Sequence, residues 1–149
     1  MTARIRLVET DAERDACFQV RMRVFVEEQG VPAWEELDAW DESADHFLAQ
    51  VGGEIVGTAR LVDLGGGKGK IGRVAVLPEH RGAGIGRELM RAVMEAGFRR
   101  HSVLVLDAQL PVIAFYERLG FQAEGEVFLD AGIPHRRMTC SRLPKPAAP

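Results

Sequence analysis

The alternation of apolar and polar residues at the start of the chain predicts a strand followed by a helix. Residues 4–7 alternate arginine with isoleucine or leucine, which is the pattern of a half-buried strand. Thr10 and Glu13 have the spacing of a capping box, and apolar residues recur behind them at intervals of three and four. Gly30 and Pro32 interrupt this pattern, so we expect the helix to end there.

The next part of the chain predicts an antiparallel meander of three strands. Apolar runs cover residues 46–51, 54–63 and 71–76. The glycine pair at 52–53 separates the first two runs and suits a tight hairpin, because glycine tolerates the positive φ of such turns. The glycine-rich stretch 65–69 is expected to be a flexible loop before the third strand.

The second half of the chain has a different pattern. A glycine-rich segment, residues 81–86, opens an amphipathic helix, and the continuous apolar run 103–106 is typical of a buried strand. Pro111 suits the first turn of a further helix that stops at Gly120. Two more strands, separated by residues 131–134, complete an α+β pattern with a mixed sheet.

Length and composition limit the possible function classes. The 149 residues have the size of one domain, predicted over 1–143, with a flexible tail at 144–149. Nineteen lysines and arginines against 22 acids give a net charge of −3, which argues against a nucleic-acid-binding protein. The chain has no apolar run long enough for a membrane span and no signal-peptide pattern, so we expect a cytoplasmic protein without membrane contact. Cys17 and Cys140 lack metal-ligand spacing and are expected to be buried thiols, so no metal is predicted.

The net charge conceals two segments of opposite sign. Eight acids and no bases lie between positions 27 and 45, and nine bases against four acids lie between 60 and 100. Such runs are often only solvated faces. The alternative hypothesis is that the basic segment surrounds an anionic ligand and the acidic segment receives a cationic one.

Three glycines in the segment 81–86 lie where a strand is predicted to lead into a helix. The free N–H groups and the dipole of a helix N-terminus favour an anion, and glycines let a phosphate approach the backbone closely. A P-loop would need Gly-Lys followed by Ser or Thr, whereas Gly86 precedes Arg87 and Glu88. A dinucleotide fingerprint would need another glycine spacing in a parallel βαβ unit, so a nicotinamide cofactor is not expected.

Four segments of the chain match the motifs of one known family. Arg81-Gly82-Ala83-Gly84-Ile85-Gly86 fits the signature Gln/Arg-x-x-Gly-x-Gly/Ala, and the run from Ile113 to Phe121 contains a tyrosine and a Gly-Phe ending. With these motifs the chain resembles the GCN5-related N-acetyltransferases, the GNAT superfamily. Two further stretches, 24–30 and 131–135, resemble its ElaA-like branch.

The resemblance implies a mixed, mostly antiparallel sheet of seven strands, flanked by about four helices and splayed between the fourth and fifth strands. Acetyl-CoA would enter the splay as a co-substrate, with its pyrophosphate on the amides of residues 81–86. Its pantetheine would run beside Arg73, Val74, Ala75 and Val76, where an amide at a strand bulge would polarise the thioester carbonyl. Many family members have Asn seven residues before the tyrosine, whereas this chain has Gln109, with the same amide on a longer arm.

Tyr116 is the predicted general acid, and it is the one tyrosine of the chain. The departing CoA thiolate needs a proton, and a phenol with an ordinary pKa of about 10 can donate one at hydrogen-bond distance. The alternative interpretation is an aromatic residue that merely packs on an amphipathic helix.

The attacking amine must also lose a proton, because an amine with a pKa of about 10.4 is almost fully charged at pH 7. Glu28, His46 and His135 are the candidate bases, and a water chain without a dedicated base is the alternative. The predicted acceptor pocket contains aromatic and polar residues near the acidic segment, namely Phe25, Glu28, Gln29, Trp34, Asp38 and Trp40. The aromatic members could instead pack the acidic loop onto the sheet.

These features together predict an acetyl-CoA-dependent N-acetyltransferase that works by direct attack in a ternary complex. The alternative is a non-catalytic module of the same fold that binds CoA or acyl-CoA. The acceptor is expected to be a small-molecule or peptide amine, and polyamines, aminoglycoside-like molecules, amino acids and protein lysines all remain open. The chain is expected to be a monomer or a homodimer.

Overall fold

The structure is a computed structural model that describes residues 2–141, which form seven strands and four α-helices. The strands are β1 (Arg4–Leu7), β2 (Asp45–Val51), β3 (Glu54–Gly65), β4 (Lys68–Val76), β5 (Val103–Gln109), β6 (Gln122–Asp130) and β7 (Ile133–Cys140). The helices are α1 (Asp11–Arg21), α2 (Ala33–Glu36), α3 (Ile85–Phe98) and α4 (Ile113–Glu117). The predicted tail at 144–149 lies outside the described residues.

The strands form one sheet in the order β1-β2-β3-β4-β5-β7-β6. The pairs β1–β2, β2–β3, β5–β7 and β6–β7 are antiparallel, and β4 and β5 run parallel. The parallel ladder joins Lys68–Lys70 to Val103–Val105, at the N-terminal ends of both strands. The predicted α+β class, with its mixed and mostly antiparallel seven-stranded sheet, is therefore confirmed, and the splay beyond this ladder stays a prediction.

Within the described chain the residues cluster into two compact units. Residues 2–62 and 71–93 form the first, with a core that includes Val20, Leu48, Val56, Ile71 and Leu89. Residues 63–70 and 94–141 form the second, whose buried residues include Leu104, Leu106, Phe121 and Met138. The single domain over 1–143 stays a prediction.

The first helix begins as the sequence indicates and then changes its winding. Thr10 and Glu13 form the predicted capping box. From Met22 to Glu28 the chain continues as a π-helix, and Gly30 follows with a φ of 75°. The predicted end near Gly30 is confirmed, but periodicity does not reveal the wider π turn, a feature that is frequent at functional sites.

The glycine-rich stretch 65–69 is not the flexible loop that its composition suggests. β3 extends to Gly65 and β4 begins at Lys68, so only Gly66 and Gly67 form the turn, with φ of 63° and 78°. Gly69 lies within β4 under the ring of His101, where an added Cβ would come within 2.7 Å of the ring. The glycines of this stretch therefore serve two purposes: Gly66 and Gly67 form the turn, and Gly69 allows close packing.

None of the helices in residues 2–141 has the length and apolar character needed to cross a bilayer.

Candidate functional site

The glycine loop, defined as residues 81–86, joins the end of β4 to α3 through a short 3-10 turn at Pro78–His80. Gly82 and Gly84 have φ of 85° and 82°, a conformation that side chains other than glycine adopt only with strain. A Cβ added at either glycine would meet no heavy atom within 4 Å. The main chain of this loop is therefore open, and the space in front of it can receive an anionic ligand at the N-terminus of α3.

Arg81 of the glycine loop is held by an ion pair that the sequence does not predict. Its two terminal nitrogens each donate to a carboxylate oxygen of Glu28 at 2.7 Å, and its Nε donates to the Val76 carbonyl at 2.9 Å. A neighbouring pair, Arg23 with Glu79, has an Nη2–Oε2 distance of 2.8 Å. Two bidentate ion pairs thus connect the π-helix to the segment that carries the glycine loop.

Glu28 therefore has a different environment from the one expected of a base or an amine-binding residue. The hydrogen bonds from Arg81 lower the pKa of its carboxyl below the ordinary value. A carboxylate with a lowered pKa and two occupied oxygens is a weak base in this arrangement. Its catalytic and acceptor-binding roles stay predictions.

Residues 73–76 lie in β4 as expected, and Arg73 has an unexpected backbone conformation. Its φ is 53°, in the left-handed region, in the middle of a strand. A single left-handed residue breaks the regular extended geometry, as in a β-bulge. The structure thereby locates an irregularity in the strand where the resemblance implies a bulge.

A charged cluster of six residues lies between α1, the acidic segment and the sheet of the first unit. It consists of three arginines and three acids, namely Arg21, Glu36, Asp38, Asp41, Arg60 and Arg73. The side chain of Arg21 is fully buried, and its Nε lies 3.0 Å from Glu36 Oε2 and its Nη1 2.7 Å from Asp41 Oδ1. Arg60 Nη1 lies 2.7 Å from Asp38 Oδ1 and 2.9 Å from Asp41 Oδ1. Arg73 Nε lies 3.0 Å from Glu36 Oε2.

The cluster changes the interpretation of both charged segments. Burial alone would raise the pKa of Asp41, but hydrogen bonds from Arg21 and other partners hold it well below the ordinary value. Burial raises the pKa of Glu36, in the opposite direction, although its carboxyl lies 3.0 Å from both Arg21 and Arg73. By contact, Glu36, Asp38 and Asp41 are the partners of arginines, three against three. At these three positions the acidic segment is therefore not a solvated face, and its carboxylates are already engaged by arginines of the chain.

A sequence signal for this cluster exists. One helix face carries Cys17, Val20, Arg21 and Val24, at the positions i, i+3, i+4 and i+7. All four are buried. A charged residue on a buried face needs a partner of opposite charge, and the nearby acidic segment supplies it.

The aromatic residues of the acidic segment are exposed. The exposed fraction is 79% for Trp34 and 49% for Trp40. Phe25, in the π-helix, is half-buried, and Gln29 follows that helix directly. Packing of the loop onto the sheet therefore does not explain Trp34, and its role in acceptor binding stays a prediction.

Tyr116 lies in α4 of the second unit, among aromatic side chains. Its ring makes edge contacts with Phe115 and Phe121, at centroid distances of 5.0 and 6.3 Å. Burial raises the pKa of its hydroxyl to about 12. The phenol therefore stays protonated over the physiological range and is available as a donor.

Because Tyr116 is the one tyrosine of the chain, its titration can be read directly from the ultraviolet absorbance of phenolate. We expect almost no phenolate absorbance up to about pH 10 in the folded protein, with a midpoint near 12, and a midpoint near 10 after unfolding in denaturant. The folded state then binds more protons than the unfolded state above pH 10, so stability should fall between pH 10 and 12. A folded-state midpoint near 10 would show that the hydroxyl is solvated instead.

The two candidate histidines lie in different units and are both buried. His46 Nε2 lies 2.9 Å from the Asp41 carbonyl, and its Nδ1 has no partner among the described residues. His135 Nδ1 lies 2.6 Å from the Ile133 carbonyl, so the tautomer that donates there leaves Nε2 as the acceptor nitrogen. His135 is also the cross-strand neighbour of Gln109, the last residue of β5.

Within residues 2–141 there is no group of three or more His, Cys, Asp or Glu side chains that could hold a metal ion. Both cysteines are buried and free of disulfides, as expected.

Comparison with known proteins places these features in a family. The acetyltransferase (GNAT) family model matches residues 14–121. An uncharacterized N-acetyltransferase of Bacillus subtilis, YjcF, is 37% identical over 134 residues, which cover 89% of this chain and 95% of the relative.

Two solved structures agree with this match. An acyl-CoA N-acyltransferase from Pseudomonas aeruginosa superposes with a TM-score of 0.82 at 32% identity, over 95% of this chain and all of that one. Escherichia coli ElaA superposes with a TM-score of 0.85 at 27% identity, over 94% of this chain and 100% of the ElaA chain. The chain accordingly belongs to the GNAT acetyltransferase family.

Proposed function

We propose that this protein transfers the acetyl group of acetyl-CoA to an amine by direct attack in a ternary complex. The observation that carries the proposal is the glycine loop, whose two positive-φ glycines leave the main chain open at the N-terminus of α3. Family membership supports acyl transfer, and the acyl-CoA N-acyltransferase among the structural relatives supports an acyl-CoA donor.

The pyrophosphate of acetyl-CoA is assigned to the amides of the glycine loop. Gly82 and Gly84 give these amides their direction, and α3 adds the positive end of its dipole. Arg81 contributes through its backbone, because its side chain is already engaged by Glu28 and Val76. Beside the left-handed residue Arg73, a backbone N–H of β4 would polarise the thioester carbonyl, a role in which N–H groups stabilise developing negative charge.

Tyr116 is assigned to the leaving group. When the amine nitrogen forms its bond to the carbonyl carbon, the carbon–sulfur bond breaks and CoA departs as a thiolate. The protonated phenol of Tyr116 donates a hydrogen bond and then its proton to that sulfur. Gln109 is assigned to the pantetheine arm or to a water near it.

The acceptor is assigned to the side of the acidic segment, where Trp34 offers an exposed ring. Aromatic faces bind ammonium groups, so a cationic amine fits this surface. Glu28 and Asp38 already hold arginines, so they contribute less free charge than the sequence implies. Both candidate histidines have one ring nitrogen at a backbone carbonyl. His135 is favoured as the base because it is the cross-strand neighbour of Gln109, which is itself assigned to the cofactor arm or a nearby water.

The experiment that tests this function measures release of CoA thiol from acetyl-CoA across a panel of amines. The panel contains polyamines, aminoglycosides, amino acids and lysine peptides, and calorimetry measures acetyl-CoA binding in parallel. We expect saturable, amine-dependent thiol release with at least one class. Tight binding of acetyl-CoA without release for any acceptor would favour the non-catalytic acyl-CoA-binding module instead.

A further inference from the structure

We propose that Arg73 is a positioning residue, whose ion pairs with Glu36 and Asp38 hold β4 in the left-handed conformation that aims a backbone N–H at the thioester carbonyl. This inference rests on the proposed acetyl transfer and identifies the side chains that shape its polarising amide. It also gives the charged cluster a role in the reaction.

The conformation of Arg73 needs a cause that the local chain does not supply. A non-glycine residue at a φ of 53° is strained, and such strain persists where the surroundings impose it. The other non-glycine residue with positive φ in residues 2–141 is Ala131, which lies in the turn between β6 and β7. Hairpin turns require positive φ, whereas the middle of a strand does not.

The charged cluster supplies that cause. Arg73 Nε lies 3.0 Å from Glu36 Oε2 and donates to the Glu36 carbonyl at 3.2 Å. Its Nη2 donates to Asp38 Oδ2 at 3.3 Å. Each acid is fixed in turn by another arginine, Glu36 by Arg21 and Asp38 by Arg60, so the guanidinium of Arg73 docks onto a preformed surface.

The use of arginine in place of glycine supports a positioning role. Eleven glycines take positive φ elsewhere in the described chain, so a glycine at this position would be an ordinary solution for the backbone. Glycine would also let β4 relax to an extended conformation. An arginine whose guanidinium is held by ion pairs restricts the β4 backbone to one conformation. A backbone N–H that is fixed in this way stabilises a developing negative charge without reorganisation.

The test compares Arg73→Ala, Arg73→Gly and Asp38→Asn. Alanine at position 73 keeps the strain of the left-handed backbone but loses the ion pairs of the guanidinium, and glycine loses both. Asp38→Asn removes one of the charges that hold Arg73, while it retains a side-chain oxygen for the cap of the following turn. The readouts are kcat, the acetyl-CoA dissociation constant, the acceptor KM, and the infrared carbonyl band of bound, isotope-labelled acetyl-CoA. Ala131→Gly is the control, since it relieves the same strain in a turn outside the proposed machinery.

We expect Arg73→Ala to lower kcat about tenfold and to shift the carbonyl band toward that of free acetyl-CoA, with the dissociation constant changed less than about threefold. In Arg73→Gly, the carbonyl band of bound acetyl-CoA should still differ in part from that of free acetyl-CoA, and kcat should fall only about threefold. The reason is that glycine can still adopt positive φ. Asp38→Asn should lower kcat without changing the acceptor KM. Ala131→Gly should change neither kcat nor the band.

An unchanged carbonyl band in Arg73→Ala, or equal losses in the alanine and glycine variants, would overturn the positioning role. A changed acceptor KM with unchanged kcat in Asp38→Asn would assign that residue to the acceptor instead. The carbonyl band is measured without any amine, so it tests the positioning role even before an acceptor is known. A wild-type protein that fails to bind acetyl-CoA would instead remove the proposed function, and this inference with it.

Discussion

Replacement of Tyr116 by phenylalanine should lower kcat about 100-fold while the affinity for acetyl-CoA stays the same, because general acid catalysis commonly contributes two to four orders of magnitude. The substitution removes one oxygen and keeps the ring, so the edge contacts with Phe115 and Phe121 remain. The departing thiolate would then leave without a proton donor. Initial rates at saturating acetyl-CoA and calorimetric binding measure the two quantities separately.

A control on packing comes from the thermal unfolding of the same variant. Phenylalanine buries no hydroxyl, so the melting temperature should be unchanged or slightly raised. A 100-fold loss with intact folding would support a chemical role for the phenol. Full turnover in Tyr116→Phe would remove Tyr116 from the mechanism and leave it as a packed aromatic residue.

Replacement of Gly84 by leucine should raise the dissociation constant for acetyl-CoA about 30-fold, which corresponds to about 2 kcal/mol. The new side chain would occupy the open space in front of the glycine loop, where the pyrophosphate is assigned. It would also disfavour the φ of 82° that directs the loop amides. Isothermal calorimetry with acetyl-CoA and with CoA measures the effect.

Gly53→Leu is the matched control for this substitution. Gly53 has a φ of 90° in the turn between β2 and β3, and a Cβ there also meets nothing within 4 Å. Both variants should lose about 1–2 kcal/mol of stability from the left-handed backbone. Only Gly84→Leu should lose acetyl-CoA binding, and equal binding by both variants would contradict the pyrophosphate assignment.

Charged residues are segregated along the sequence, but this segregation does not show which of the charges are free to bind a ligand. Acids at 27–45 and bases at 60–100 suggested two separate ligands of opposite charge. In the first unit, four of the eight acids instead pair with arginines, Glu28 with Arg81 and the other three within the charged cluster. Residues distant in sequence become partners when the chain folds, so the sign of a segment does not reveal whether its charge is free.

Local signals were sufficient for most of the secondary structure. The capping box at Thr10 and Glu13 and the hairpin glycines at 52–53 depend on neighbours within a few residues, and the structure confirms both. The flexible loop expected at 65–69 was wrong, because β3 extends to Gly65 and β4 begins at Lys68. Gly69 lies within β4, where close contact with the ring of His101, a residue far along the chain, leaves no room for a side chain. Contacts of this kind leave no periodic signal.

The sequence by itself determined the α+β class, the family motifs and the glycine loop, because these depend on short-range spacing and on a contiguous signature. Only the tertiary structure decided the partners of the charged residues and the left-handed conformation of Arg73. The ion pair between Arg73 Nε and Glu36 Oε2 forms because folding brings together two side chains that are 37 residues apart in the sequence. A strained φ is likewise imposed by the contacts of the folded chain, and the residue type at that position does not predict it.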